Sequence, residues 1–106
     1  MAGVKVAAVQ AAYVLMDQEA CLEKAVKLLH QTAAEGARIV VFPEVFIPGN
    51  PIWIDTVPIW DGDGDWYARL VEQAVVVPGP VTDTLAAAAR ETGTYLVIGV
   101  DERELH

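Results

Sequence analysis

The chain reads as an α/β fold with its sheet left unfinished, and three observations predict this. Three apolar runs of strand length, Val4-Lys5-Val6-Ala7-Ala8-Val9, Arg38-Ile39-Val40-Val41-Phe42 and Tyr95-Leu96-Val97-Ile98-Gly99-Val100, punctuate the sequence. They are nearly all apolar on both faces, as strands of a parallel or mixed sheet are. The segments between them carry apolar residues at helical spacing, so the order is β-α-β-loop-α-α-β, an arrangement of parallel crossovers. Only Asp101 to His106 follow the last run, so a sheet that wants cover on both faces is expected to lack its closing elements.

Each element has a local reason. After the first run, Leu22, Val26, Leu29 and Ala33 fall four, three and four apart, while Glu23, Lys24, Lys27 and Gln31 take the other side. This spacing predicts a helix with one apolar face. Asp17 is suited to cap its start, and Gly36 to the left-handed position just past its end. The second run stops at Pro43. From there to Gly64 the chain holds Pro43, Pro48, Pro51 and Pro58 with Gly49, Gly62 and Gly64, which forbids a long regular element. A segment of that length without regular structure is usually functional. A helix is expected from about Trp66 to Val75, ended by Pro78-Gly79-Pro80. Another, capped by Thr82 or Asp83, is expected from Thr84 to Thr92 and closed by Gly93.

Bulk properties bound the function. The 106 residues are 54% apolar and 21% charged, a globular composition rather than that of a disordered tail. A chain of this size can bury about 65% of its unfolded surface, enough for one domain or part of one. The net charge of −8 argues against nucleic acid or an anionic membrane as partner, since both would be repelled. Cys21 is the one cysteine, so no intrachain disulfide is available and a reducing compartment is expected. The alternating N-terminus is unlike a signal peptide, and no apolar stretch approaches the ~20 residues of a bilayer span. A soluble, cytoplasmic protein is the expectation.

Glu44 is the residue that stands out chemically. It follows a buried-type strand and Pro43 and opens the long loop, at the carboxyl end of a strand, where ligands gather in α/β sheets. A carboxylate held at the edge of an apolar core has its charged form disfavoured, which suits a general base. Position alone leaves open that Glu44 caps or salt-bridges the loop, or faces water.

The surrounding block closely resembles the glutamate block of the nitrilase family: Val40-Val41-Phe42-Pro43-Glu44-Val45-Phe46-Ile47-Pro48-Gly49-Asn50-Pro51. Lys5 to Gln10 is similar to that family's opening strand, and Pro78 to Leu85 with Gly93 to Glu104 to its third strand and preceding helix. Three blocks in the right order cover essentially the whole chain, but only about the first third of a usual member. Residues 1–106 are therefore expected to be a partial carbon–nitrogen hydrolase domain, the N-terminal part of a four-layer αββα sandwich.

The resemblance implies a Glu–Lys–Cys triad acting on a small nitrile or amide, with no metal or other cofactor, in a homo-oligomer of full-length subunits. A cysteine thiolate attacks the substrate carbon, Glu44 is the base, and a lysine steadies the developing charge. A thiol of ordinary pKa, about 8.5, needs such a base at neutrality, and a cation serves the transition state. Asn50 replaces an aromatic often found at its position, a departure that bears on substrate preference. Gly49 to Trp53 and Glu102 to Glu104 are more similar to true nitrilases than to amidases or carbamoylases, which remain the alternative.

The other two triad members are not expected in this chain. Cys21 precedes Glu44, whereas the family's cysteine follows it, so Cys21 reads as a small buried helix residue. Lys5, Lys24 and Lys27 all precede Glu44 and read as solvated charge. Asp61, Asp63, Asp65 and Glu72 have the spacing of a calcium loop. The sixth position, nearly always glycine, is Trp66, so an acidic loop leading into a helix is the plainer reading. Phe46, Trp53, Trp60, Trp66 and Tyr67 cluster around the Glu44 loop. Phe46 and Trp53, with Asn50, are the substrate-pocket candidates, although packing of the loop on its core or on a neighbouring subunit is the plainer reading of such aromatics. His30 and His106 have no partner in view. The rival from another class is a non-catalytic α/β interaction module working through an uncovered apolar sheet face.

Overall fold

A computed structural model describes residues 3–58 and 63–105. It contains strand β1 (Val6–Ala8), helix α1 (Gln18–Ala34), strand β2 (Ile39–Val41), a short 3-10 helix (Ile52–Asp55), helix α2 (Asp63–Gln73), helix α3 (Pro80–Thr92) and strand β3 (Tyr95–Val97). The sheet is parallel in the order β1-β2-β3. The α/β class and the order of crossovers are as the sequence predicts, with the small 3-10 helix inside the expected loop.

Register decides which side chains meet the helices. Ala7, Val40 and Leu96 align across the sheet, flanked by the rows Val6–Ile39–Tyr95 and Ala8–Val41–Val97. Side chains alternate faces along a strand, so the central row points one way and the flanking rows the other. Ala7, Val40 and Leu96 pack with Cys21, Ala25 and Leu29 of α1 and Val81, Leu85 and Ala88 of α3 in one core cluster. The opposite face is bare: Val6 is 56% exposed, Tyr95 78% and Val97 55%. One helical layer and one sheet, half of the sandwich that the resemblance implies, are thus present among the described residues, and one of the two apolar faces is covered.

The buried stripe of α1 differs from the expected one. Cys21, Ala25 and Leu29 are its fully buried residues, whereas Leu22 and Val26 are partly buried at the margin. Cys21 and Ala25 are small and let the helix approach the sheet closely, and the larger Leu22 and Val26 wrap its side. The cap is as expected. The Asp17 carboxylate accepts from the Ala20 N–H at 2.9 Å, an interaction worth about 1 kcal/mol.

Two helix boundaries also move. Helix α3 begins at Pro80, not Thr84, with Gly79 as its cap residue. Thr82 lies in the first turn, and its hydroxyl accepts from the Gly79 N–H and donates to the Gly79 carbonyl, both at 2.9 Å. Pro80, with its φ already near the helical value and no N–H to satisfy, is well placed at the first helical position. Helix α2 spans Asp63–Gln73 rather than Trp66–Val75. Its end is set by tertiary pairing before Pro78 is reached. The Val75 N–H donates to Asp101 O at 2.7 Å, and Val75 O accepts from the Arg103 N–H at 2.9 Å. No helix among the described residues is long and apolar enough to cross a membrane.

Candidate active site

Glu44 lies on the turn that carries the chain away from the carboxyl end of β2, the central strand. The turn is fixed from several sides. Phe42, buried, donates its N–H to Val97 O at 2.8 Å, and Ile47 donates to Gly99 O at 3.4 Å while accepting from the Asp101 N–H at 2.9 Å. The Gly49 N–H closes the turn onto Val45 O at 3.1 Å, and Pro48 O accepts from the Met16 N–H at 2.9 Å. Phe46 and Ile47 have no exposed surface. The segment after Glu44 is therefore built into the core rather than laid over it.

Two backbone positions show how tightly this turn is drawn. Gly49 has φ +108°, and a Cβ there would stand 2.5 Å from the Tyr13 ring. Val45, immediately after Glu44, has φ 46°. A β-branched residue in the left-handed region is a genuine outlier, costing on the order of 1–3 kcal/mol, and such strain collects at functional sites.

Glu44 itself is exposed. The desolvated position expected for it at the edge of the core is not what the described residues provide. No hydrogen bond or ion pair among the described residues engages its carboxylate, so the capping and salt-bridging alternatives have no support there and the side chain faces water.

The remaining sequence candidates are distributed as follows. Phe46 belongs to the core and meets Phe42 edge-on, with ring centroids 5.2 Å apart. Asn50 is exposed. Trp53 is 4% exposed, stacks on Trp66 at 5.5 Å and meets Tyr67 edge-on at 6.1 Å, while the Arg69 guanidinium lies 5.2 Å from the Trp66 ring centre. The structure thus brings Trp53, Trp66 and Tyr67 together and pairs Phe46 with Phe42 instead. The Trp53 indole N–H is buried without a partner among the described residues. Trp60, Asp61, Gly62 and His106 lie outside the described residues. The calcium-loop spacing gains nothing from the structure, because a loop opening at Asp61 would need its third position onward unwound, and Asp63–Gln73 is helical.

Cys21 is fully buried. Its thiol donates to Val14 O at 3.0 Å and accepts from the Val14 N–H at 3.3 Å. Burial, the larger influence, pushes its pKa up, which keeps it a thiol and a poor nucleophile. Lys5 donates to Glu35 O at 2.8 Å and Lys24 to Ala12 O. None of these groups is arranged as a partner for Glu44. Two open grooves, about 400 and 320 Å³, run along α3 and β3 and between α1 and α3, and Glu44 lines neither. Strand-end geometry, not cavity size, is what marks this site.

Asp101 is a group that the sequence reading passed over. It follows β3 against the Glu44 turn, and its Oδ2 is buried with no partner among the described residues. Burial raises its pKa above the ordinary 3.8. A carboxyl whose folded pKa lies above its unfolded one binds its proton more tightly when folded. Stability is then greatest below the unfolded value and declines as pH rises through the folded one. Asp101→Asn, which cannot ionise, is expected to flatten that decline and to leave the chain more stable at neutral pH. Urea unfolding at a series of pH values from about 4 to about 7 reads this, and parallel pH dependences for the two proteins would contradict it.

Comparison with known proteins follows the same segments. The profile described as Carbon-nitrogen hydrolase matches residues 5–106. The chain is 41% identical over 102 residues to Nitrilase 3 of an unknown prokaryotic organism, covering 95% of this chain and 31% of that protein. It is 36% identical over 104 residues to a nitrilase of Bacillus sp. (strain OxB-1), covering 94% and 29%. It is 38% identical over 102 residues to an aliphatic nitrilase of Rhodococcus rhodochrous, covering 94% and 27%. The chain spans less than a third of the length of these curated relatives.

Proposed function

Because the chain belongs to the carbon–nitrogen hydrolase family, we propose that it supplies the general base, Glu44, of a nitrilase-type hydrolase that converts a nitrile to a carboxylic acid and ammonia. The observation that carries this reading is an exposed carboxylate on a strained turn at the carboxyl end of the central strand. That turn falls inside a match to proteins named nitrilase.

In the reaction, Glu44 accepts the proton of a cysteine thiol and the sulfur adds to the nitrile carbon to give a thioimidate. Water then adds and ammonia leaves, and a second water releases the acid from the thioester. A lysine stabilises the charge that develops during each addition. Neither that lysine nor that cysteine comes from residues 1–106, since Lys5, Lys24, Lys27 and Cys21 are engaged elsewhere or precede the base. Phe46, Asn50 and Trp53 are the residues of this chain proposed to shape the substrate pocket, Phe46 from behind and Trp53 through its aromatic stack. The setting is cytoplasmic, the full-length protein a homo-oligomer, and the chemistry needs no cofactor.

The test is ammonia release from aliphatic and arylacetonitriles, by the 106-residue chain and by the longest translated product that carries it. The chain alone is expected to stay at the buffer level and the longer product to turn over. Turnover by the chain alone would refute the assignment of two catalytic groups to sequence outside it. Hydrolysis of amides but not nitriles by the longer product would place the protein among the amidases. A second reading, an α/β interaction module, is favoured by the bare sheet face that carries Val6, Tyr95 and Val97. It requires a monodisperse, cooperatively unfolding chain with no turnover in any translated form.

A further inference from the structure

We propose that Gly99 is a positioning residue for Glu44, acting by having no side chain where the continuation of β3 runs against the catalytic turn. The inference rests on the reading of Glu44 as the base. A Cβ built on Gly99 stands 2.5 Å from the Val45 nitrogen, 3.1 Å from the Glu44 Cα and 3.2 Å from the Glu44 carbonyl carbon. All three are backbone atoms, so no side chain can rotate aside to make room. Ordinary contact begins at 3.4 Å, so the two backbones would have to part by about 0.9 Å (from 2.5 to 3.4 Å).

A second observation shows that the turn cannot yield that distance freely. Ile47 bridges to Val100, its N–H reaches Gly99 O, and its carbonyl takes the Asp101 N–H. Residues 99–101 therefore hold the chain just beyond Glu44 in fixed register, while Phe42 is held to Val97 just before it. Val45 at φ 46° is the point where the path between these two anchors is bent. The close backbone approach that Gly99 permits and the strained conformation of Val45 are two sides of one arrangement. Together they set where the Glu44 Cα stands at the end of β2. A glycine inside an otherwise apolar strand run is the sequence mark of such an approach.

A base must lie within hydrogen-bond reach of the proton it takes, and a misplacement of 1 Å costs on the order of 100-fold in rate. Gly99→Ala in the longest translated product is therefore expected to lower kcat by about 100-fold while KM stays close to that of the parent. In the 106-residue chain the same change is expected to move the Val45 carbon chemical shifts away from left-handed values. Gly64→Ala, where an added Cβ meets nothing within 4 Å among the described residues, is expected to move neither quantity. Should Gly99→Ala fold poorly, the double variant Gly99→Ala/Val45→Gly relaxes the bend. It is expected to regain folding while kcat stays low; recovery of kcat together with folding would mean a structural role only and would overturn the proposal. Parental kcat in a folded Gly99→Ala, or unchanged Val45 shifts, would overturn it as well. Glu44→Gln run alongside separates the two levels. If Glu44→Gln abolishes turnover and Gly99→Ala does not disturb it, the positioning role fails alone; if Glu44→Gln turns over normally, the base itself is wrong and the inference falls with it.

Discussion

Glu44→Gln in the longest translated product that carries this chain is expected to lower kcat for nitrile hydrolysis by roughly 10²–10⁴-fold, the usual contribution of a positioned general base. Gln keeps the volume and most of the polarity of the side chain but cannot accept the thiol proton. Ground-state binding is expected to change little, so KM should stay near its parental value and kcat/KM should fall with kcat, the signature of an interaction made in the transition state. Because Glu44 is exposed and carries no hydrogen bond or ion pair among the described residues, its replacement is expected to leave the unfolding midpoint where it was. That separation makes the experiment decisive. A loss of turnover with an intact thermal transition assigns chemistry to the carboxylate, whereas parental turnover in the variant would remove Glu44 from the mechanism.

The exposure of Glu44 is the main departure from what its sequence context suggested. A strand of apolar residues ending in Pro-Glu invites the expectation of a carboxylate at the margin of a core. What the structure buries is the segment on either side: Phe42 before it, and Phe46, Ile47 and Pro48 after it. Glu44 stands out from a tightly held turn, and its chemical environment is left to whatever packs against that turn.

Much of this was legible because it depends on short-range rules. Asp17 as a cap, Gly93 closing α3 at φ 65° and the three strand runs follow from local preferences that the fold does not overrule. The strands are shorter than their apolar runs. The ladder stops at Val41 and Val97, after which the turn and the β3 continuation meet through an isolated bridge, Ile47 to Val100, rather than in a sheet. Helix α3 starts early because Thr82 satisfies the Gly79 N–H from within the first turn, a reciprocal arrangement that a search for a preceding cap residue misses. The buried stripe of α1 lies about one position from the Leu22–Val26 spacing because Cys21 and Ala25 are small enough to let the helix approach the sheet closely. Val45 could not have been anticipated. A β-branched residue is among the last expected at positive φ, and only the anchoring of Ile47 by Gly99 and Asp101 explains its conformation. Gly99 does carry a signal, a glycine within an apolar run, which marks a close backbone approach.

Phe46→Ala is expected to cost about 3–5 kcal/mol, the range for deleting a buried aromatic side chain, and to be the most destabilising change in the Glu44 segment. Phe46 has no exposed surface and meets Phe42 edge-on. Phe42, Ile47 and Val40 belong to the same core cluster as Phe46, so a void left there has apolar walls and no water to fill it. The surrounding turn is also poorly able to collapse into the void. Ile47 is tied to Gly99 and Asp101, and Gly49 to Val45 with the Tyr13 ring close beside it, so the cavity cost persists rather than relaxing away. Against a total stability of roughly 5–15 kcal/mol for a domain, such a loss leaves the chain close to unfolding, and Phe46→Leu should recover part of it. Urea denaturation of the three proteins checks the order. The same series bears on the proposed substrate pocket. If Phe46 acts on substrate only by supporting the turn from behind, Phe46→Leu in the longest product should change kcat in step with the folded fraction and leave the ranking of aliphatic against arylacetonitriles untouched. A changed ranking in a fully folded Phe46→Leu protein would instead bring the ring into the pocket and show that the turn opens during catalysis.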